Sequence, residues 1–238
     1  LYATPYSCSC NVGDMVPGLN AYCGDAELLT RPDAGAIKRR MRLEKGSAYA
    51  KIGTAQTAAD SDWPTYRANP FRGSATRAAI PARLEVKWQA KLPASPTAPV
   101  VAAGKLFACD SDAHTLYALD SSNGKILWQF TADARVDSPP TYFQGMPLFG
   151  SRDGWLYCVR AEDGELAWRF KDLPDRLICA YGQLESAWPM HGAVLVLEGK
   201  VYAAARRPSF LDGAIYLSCL APVTGKLLQS RSAYGPFM

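Results

Sequence analysis

Trp88, Trp128 and Trp168 follow one another at two successive intervals of 40 residues, and the stretches leading into the last two are copies of each other. Leu116-Tyr117-Ala118-Leu119-Asp120 runs through Asn123-Gly124-Lys125-Ile126-Leu127 to Trp128, and Leu156-Tyr157-Cys158-Val159-Arg160 runs through Asp163-Gly164-Glu165-Leu166-Ala167 to Trp168. A further copy, Tyr216-Leu217-Ser218-Cys219-Leu220, passes Thr224-Gly225 and reaches Gln229 where the tryptophan would fall. A period of this length means one supersecondary unit stacked repeatedly, each copy burying the face of its neighbour.

The content of one period fixes the kind of unit. Short alternating apolar runs are separated by polar turns, and Asn123-Gly124 and Asp163-Gly164 are strong hairpin signals because glycine supplies positive φ cheaply. Upstream of each turn lies another β-like run: Lys105–Cys109, Pro147–Gly150 and Lys200–Ala204. A third precedes that one: Ala98–Val101, Pro140–Phe143 and Ala193–Val196. No amphipathic helical period interrupts the repeats. The expected fold is all-β, with four-stranded antiparallel blades of about 40 residues arranged as a propeller. Ala118, Cys158 and Cys219 each stand six residues before the turn glycine, a slot for a small apolar residue in which cysteine serves as a small hydrophobe.

Leu-Tyr-Ala-Leu-Asp followed by Asn-Gly-Lys-Ile-Leu-Trp at 116–128 resembles the repeat of the pyrroloquinoline-quinone (PQQ) type β-propellers, over roughly residues 62–230. The resemblance implies that Trp88, Trp128 and Trp168 dock onto neighbouring blades, with Gly124, Gly164 and Gly225 as the turn glycines. It extends to the propeller of bacterial outer-membrane-assembly lipoproteins, which has this repeat and no cofactor. Asp62-Trp63-Pro64-Thr65-Tyr66-Arg67 is similar to the opening segment of such propellers, and 136–140, 185–189 and 211–213 are similar to large PQQ-like propeller proteins of environmental bacteria.

This sets the expected domains. Residues 1–61 would be the tail of a preceding domain or propeller, ending in an Ala/Thr/Ser-rich linker near 44–61, and residues 62–238 the blades. Only about four blades fit, counting one seeded around Trp88. Relatives close with more, so the expectation is an incomplete propeller from a longer protein.

Composition excludes several classes. No apolar run approaches the ~18–20 residues of a membrane-spanning helix. The net charge of +4 is mild, and its one dense cluster, Lys38-Arg39-Arg40-Met41-Arg42, reads as a solvated loop or linker with no nucleic-acid-binding motif beside it. Leu1–Pro5 shows neither the charged start nor the apolar stretch of a secretory leader. Seven cysteines leave at least one unpaired. A Cys10–Cys23 disulfide is open, unpaired loop or core cysteines are favoured, and the CxC at Cys8 and Cys10 fits no zinc module.

Candidate chemistry lies in an insertion. Gly164 and Gly225 are 61 residues apart, and most of the surplus falls in Lys171–His191, with Asp172, Asp175, Arg176, Tyr181, Gln183, Glu185, Ser186, Trp188 and His191. Insertions in repeat folds map to loops on one face, often the binding face, so Arg176, Glu185, Trp188 and His191 are the candidate binding residues for an unidentified protein or small molecule. His114 reads as a solvated turn residue, and Asp110 with Asp112 lacks the remaining ligands of a calcium loop. No hydrolase, zinc-protease, P-loop or dinucleotide motif is present. The expected function is a scaffold or binding module, placed by the resemblance in the periplasm or outside the cell, with no cofactor or metal. The alternatives are part of a PQQ- and calcium-dependent alcohol or sugar dehydrogenase, or a propeller appended to another catalytic domain. The adjacent cysteine pair that many such dehydrogenases carry has no counterpart here.

Overall fold

A computed structural model of the chain describes residues 2–3, 20–21, 40–53, 57–180, 182–207 and 214–233. Cys8, Cys10 and Cys23, with their candidate disulfide, lie outside the described residues. Strands β1 (Tyr2–Ala3) and β2 (Asn20–Ala21) form a small pair, and β3 (Arg42–Lys45) precedes a 3-10 turn at Tyr49–Lys51. The first blade is β4 (Val100–Ala102), β5 (Lys105–Asp110), β6 (Thr115–Asp120) and β7 (Ile126–Thr131). The second is β8 (Thr141–Phe143), β9 (Met146–Gly150), β10 (Leu156–Val159) and β11 (Leu166–Lys171). An inserted hairpin, β12 (Leu177–Ala180) and β13 (Gln183–Ser186), separates it from the third blade: β14 (Leu195–Leu197), β15 (Lys200–Ala205), β16 (Ile215–Leu220) and β17 (Leu227–Ala233). Every blade is an antiparallel meander in chain order.

The three blades repeat one another down to their irregularities. A bulge falls between Ala118 and Leu119, between Cys158 and Val159, and between Cys219 and Leu220. Just before it, Ala118 pairs with Trp128, Cys158 with Trp168 and Cys219 with Gln229. The small residue is thus the cross-strand neighbour of the tryptophan, leaving room for the indole to lean onto the next blade.

The indoles do lean that way. Trp88 Nε1–H donates to the Ser121 carbonyl at 3.0 Å, Trp128 to Ala161 at 3.1 Å and Trp168 to Pro222 at 2.9 Å. Each acceptor lies in the turn between the third and fourth strands of the following blade. There the ring covers the turn glycine so closely that a Cβ on Gly124, Gly164 or Gly225 would come within 2.4, 2.5 or 2.7 Å of the indole. All three glycines have φ between 64° and 77°, so a side chain is refused by backbone and neighbour alike. The blade faces behind the indoles are apolar and buried: Phe107, Leu116 and Ala118 pack with Phe149, Tyr157 and Val159 of the second blade, and Leu148, Leu156 and Cys158 with Val201, Tyr216 and Leu220 of the third.

Two features depart from the sequence reading. The segment around Trp88, counted there as a fourth blade, forms no sheet; three complete blades are present among the described residues, and its indole docks from an extended stretch bridged to the first blade only at Pro96–Asp110. The residues before it are turns, with Trp63 bridged to Val101, so no neighbouring strands are available to it. Second, part of the stretch assigned to a preceding domain and linker is built into the blades. Strand β3 pairs with β11 as a fifth strand of the second blade, from Lys45–Trp168 to Arg42–Lys171. Leu43 lies against the position of Gly225, Ala48 and Ile52 enter the core, and the Tyr49 hydroxyl donates to the Thr224 carbonyl at 3.3 Å. Arg42, read as part of a solvated basic run, instead pairs with Asp175 at 2.5 Å and lies over the Trp155 ring at 4.9 Å. Residues 42–53 and 57–66 therefore strap the blades together along the chain.

Trp128→Ala should destabilise the fold by about 3–5 kcal/mol, the range for a large aromatic removed from a core. Gly164→Val should also destabilise. Because the two side chains share one contact, their effects should not add, and denaturant unfolding of both single variants and the double variant measures this. Additive losses would show that the indole and the glycine stabilise the fold separately.

Candidate binding face

The turns β5–β6, β9–β10 and β15–β16 emerge at the same end of their blades, and the chain between blades returns to that end. The extra residues after β11 fold there as the β12–β13 hairpin, with Leu177 opposite Ser186 and Ala180 opposite Gln183. Tyr181, at its tip, lies outside the described residues. Main-chain bonds fasten the hairpin and the stretch after it: the amides of Ser186 and Ala187 donate to the carbonyls of Arg152 (2.7 Å) and Arg176 (2.8 Å), and those of Met190 and Arg206 to Ser151 (3.0 Å) and Pro189 (3.0 Å).

Six side chains form an alternating chain of charge across this end. Asp112, in the first blade's turn, pairs with Arg135 of the connector to the second blade. Arg135 Nε reaches Asp137 at 3.1 Å, Asp137 also pairs with Arg152 Nε, and Arg152 Nη1 meets Glu185 at 2.6 Å. Glu185 then takes Arg207, beside the third blade's turn, at 2.5 Å. Three blades and the hairpin are thereby joined through carboxylates that each hold a guanidinium. Burial pushes the Asp137 carboxyl up, but Arg152 and Arg135 outweigh it and hold the group below the usual carboxylate range. Burial disfavours the Arg152 cation, yet Glu185 and Asp137 raise its affinity for the proton. Breaking such a chain at one residue leaves a buried partner uncompensated, which is far costlier than losing a surface pair.

His191 borders this chain. Its carbonyl accepts from the Ser138 hydroxyl, and its buried Nδ1 has no hydrogen-bond partner among the described residues. Burial first, then the charges of Arg152 and Arg206, depress its pKa below the ordinary imidazole value.

The four candidate residues of the insertion therefore part company. Glu185 is 4% exposed and serves the ion chain, and Trp188 is 2% exposed within the core shared by the second and third blades. The stretch after β13 folds back under the sheet edges, so an indole read as a loop aromatic is enclosed. Asp175 is likewise engaged, with Arg42 and Lys171 drawing its carboxyl down to about 2. Arg176 is exposed at the entry of the hairpin. Next to it the outward side of the hairpin carries Leu177 (60% exposed), Cys179 and Leu184 (66% exposed), with Cys179 directly opposite Leu184. Sequence reasoning missed this strip, although the alternation of Leu177, Cys179 and Leu184 about Gly182 carried the signal of a two-stranded hairpin.

A family model described as outer membrane protein assembly factor BamB matches residues 79–234. The chain belongs to this PQQ-type propeller family. Among solved structures it is similar to a quinohemoprotein alcohol dehydrogenase, ADHIIG, from Pseudomonas putida HK5, at 18% identity and TM-score 0.58, covering 73% of this chain and 27% of that one. It is similar to the quinohemoprotein alcohol dehydrogenase of Comamonas testosteroni at 18% identity and TM-score 0.57, covering 79% and 30%. A europium-containing methanol dehydrogenase gives 15% identity and TM-score 0.52, covering 75% and 33%. At these identities the likeness establishes the PQQ-type fold alone, and the chain spans about a third or less of the length of each. No curated protein matches the chain.

The described residues do not fit a calcium-assisted quinone site of the dehydrogenase kind. No group of three or more His, Cys, Asp or Glu side chains among them stands close enough to share a metal ion, and the face's carboxylates are committed to arginines. No helix among the described residues is long and apolar enough to cross a membrane.

The pH dependence of stability should show two legs. His191 binds its proton less readily in the folded state than the unfolded value of 6.5. Its contribution is therefore complete above about pH 6.5 and declines as the pH falls from there towards the folded value. Asp137 is likewise depressed, from 3.8, so its contribution is present above about pH 4 and is lost as pH falls through its lower folded value. Urea unfolding measured from pH 8 to pH 3 should reveal both, and His191→Gln should remove the first leg while leaving the second.

Proposed function

We propose that this chain is a non-catalytic binding module working outside the cytoplasm, and that the inserted hairpin is its contact with a protein partner. The observation that carries the reading is the exposed strip of Leu177, Cys179 and Leu184 on a hairpin whose inward side is held by the Glu185 ion pairs. Solvent-facing leucines on a braced element cost stability without returning packing, and contiguous exposed apolar surface marks interaction sites. Exposed Arg176 adds a cation at the rim, a residue type enriched in interfaces. The family model's description as an assembly factor of outer membrane proteins supports both a protein partner and an extracytoplasmic location. A preformed strip of this size suits a modest, exchangeable contact better than a permanent interface, which buries far more area.

Leu177→Ser with Leu184→Ser should leave the unfolding free energy within about 0.5 kcal/mol of wild type, as expected for substitutions away from packed features. The same variant should lose a partner captured by the wild-type chain from the cell envelope of its source organism. Retention of that partner by the double variant would remove the hairpin from the contact. Substrate-dependent dye reduction after reconstitution with PQQ and calcium would replace the binding-module reading with the dehydrogenase one.

A further inference from the structure

The three turns that receive an indole are not chemically alike. In each, the side chain ahead of the glycine caps the turn by accepting the amide two residues on: Asn123 Oδ1 from Lys125 at 2.8 Å, Asp163 Oδ1 from Glu165 at 3.2 Å and Thr224 Oγ1 from Lys226 at 3.4 Å. Asn123 alone of the three has a side-chain amide, and it precedes glycine, which hinders its neighbours least. The charge beside it differs too. At the start of the second blade's turn Arg160 pairs with Asp163. The same position in the first blade is Asp120, whose main-chain carbonyl accepts from Gly124 at 2.8 Å as that of Arg160 does from Gly164 at 2.9 Å. Hydrogen bonds from the side chain and amide of Ser122, then from the Asn123 side chain, hold the Asp120 carboxyl below the usual carboxylate range.

This turn also has the least supported dock. Trp128 and Trp168 stand in paired strands and are 9% and 0% exposed, whereas Trp88 is half-buried. Its stretch, residues 79–93, makes no main-chain hydrogen bond to the described residues, and Ile80, Leu84 and Val86 in it are exposed. An asparagine ahead of glycine converts without a catalyst. The Gly124 main-chain nitrogen gives up its proton and bonds to Asn123 Cγ, the Cγ–Nδ2 bond breaks, and ammonia leaves. Water then opens the cyclic imide to aspartate or isoaspartate, with nothing oxidised or reduced. The closed turn blocks the first step. The Gly124 N–H is given to Asp120, Oδ1 is held by the Lys125 amide, and the Trp88 ring lies where even a Cβ on Gly124 would come within 2.4 Å. Conversion therefore proceeds from a turn whose indole has lifted, a local opening that lies well below global unfolding in free energy.

We propose that Asn123-Gly124 is a site of uncatalysed, irreversible modification guarded by the Trp88 dock: when the indole lifts, Asn123 loses ammonia, and the carboxylate left beside Asp120 opposes re-docking. A hydrogen-bond donor to Asp120 is replaced by a like charge, the reverse of the Arg160–Asp163 pair that the second blade uses at this point. The turn would thus record each lasting release of residues 79–93 in its covalent structure. The site lies at the end of the blades away from the hairpin, so it stands or falls independently of partner binding there.

The test follows the intact 238-residue chain in mildly alkaline buffer made with oxygen-18 water, with peptide mapping at residue 123. A synthetic peptide of residues 116–131 supplies the rate of the open turn. The chain should convert at least tenfold more slowly than the peptide, and Trp88→Ala at least fivefold faster than the wild-type chain. Cleavage by trypsin after Arg83, Lys87 or Lys91 reads whether the dock re-forms. Asn123→Asp should be cut at least threefold faster than wild type, Asn123→Ser no faster, and Asn123→Asp with Asp120→Asn as slowly as wild type. These variants keep the tryptophan, so they decide the matter even if Trp88→Ala does not fold. Conversion of the wild-type chain at the peptide's rate overturns the proposal, as does a folded Trp88→Ala chain that converts no faster. It is equally overturned if Asn123→Asp is cut no faster than wild type, or if Asp120→Asn fails to slow its cleavage.

Discussion

A tryptophan laid on a glycine turn is the contact that sets the spacing of everything else. The indole must leave its own strand, which requires a small cross-strand neighbour, and must find a backbone without a side chain on the far side. Ala118 and Cys158 meet the first condition, Gly164 and Gly225 the second. Because the indole N–H also ends on a carbonyl of that turn, the contact fixes position and orientation together. Once two blades are locked this way, their apolar faces close over Phe107, Phe149, Tyr157 and Phe170, and the turns at the opposite end come close enough for Asp112, Arg152 and Arg207 to be bridged by Arg135, Asp137 and Glu185. The charged face is a consequence of the docking at the other end of the blades.

Much of the fold was legible in the sequence because its determinants are local and repeated: the 40-residue interval, the glycine turns and the alternating strands. The candidate face was legible only in outline. The insertion folds at the end of the blades where the connectors between them run, but exposure depends on which way each side chain turns. Trp188 and Glu185 look like loop residues in sequence, yet one lies in the core and the other at the centre of an ion chain. Arg135, Asp137 and Arg207 stand in connectors and turns whose convergence no local pattern announces. Strand β3 was illegible for another reason. Arg-Leu-Glu-Lys has no apolar run, and its partner strand lies far along the chain.

Gln229 marks the place where the docking series changes. It holds the tryptophan's register opposite Cys219, but it is exposed, and the face around it is a shallow apolar depression that includes Tyr202, Ala204 and Leu217. The corresponding surfaces of the first two blades are fully covered. The third blade therefore receives an indole from its predecessor and offers none, so the stack has a direction.

The strap has a consequence for how the chain reaches this structure. Lys45 pairs with Trp168, 123 residues later. During synthesis the strap must wait while the first blade, then the second, is completed. Contacts of such long sequence separation are slow to form because loop closure must precede any gain from them. The blades can meanwhile assemble in order, each from its own hairpins. The strap would then be the last piece to settle, a latch that closes over blades already in place, and the first whose release would let them separate.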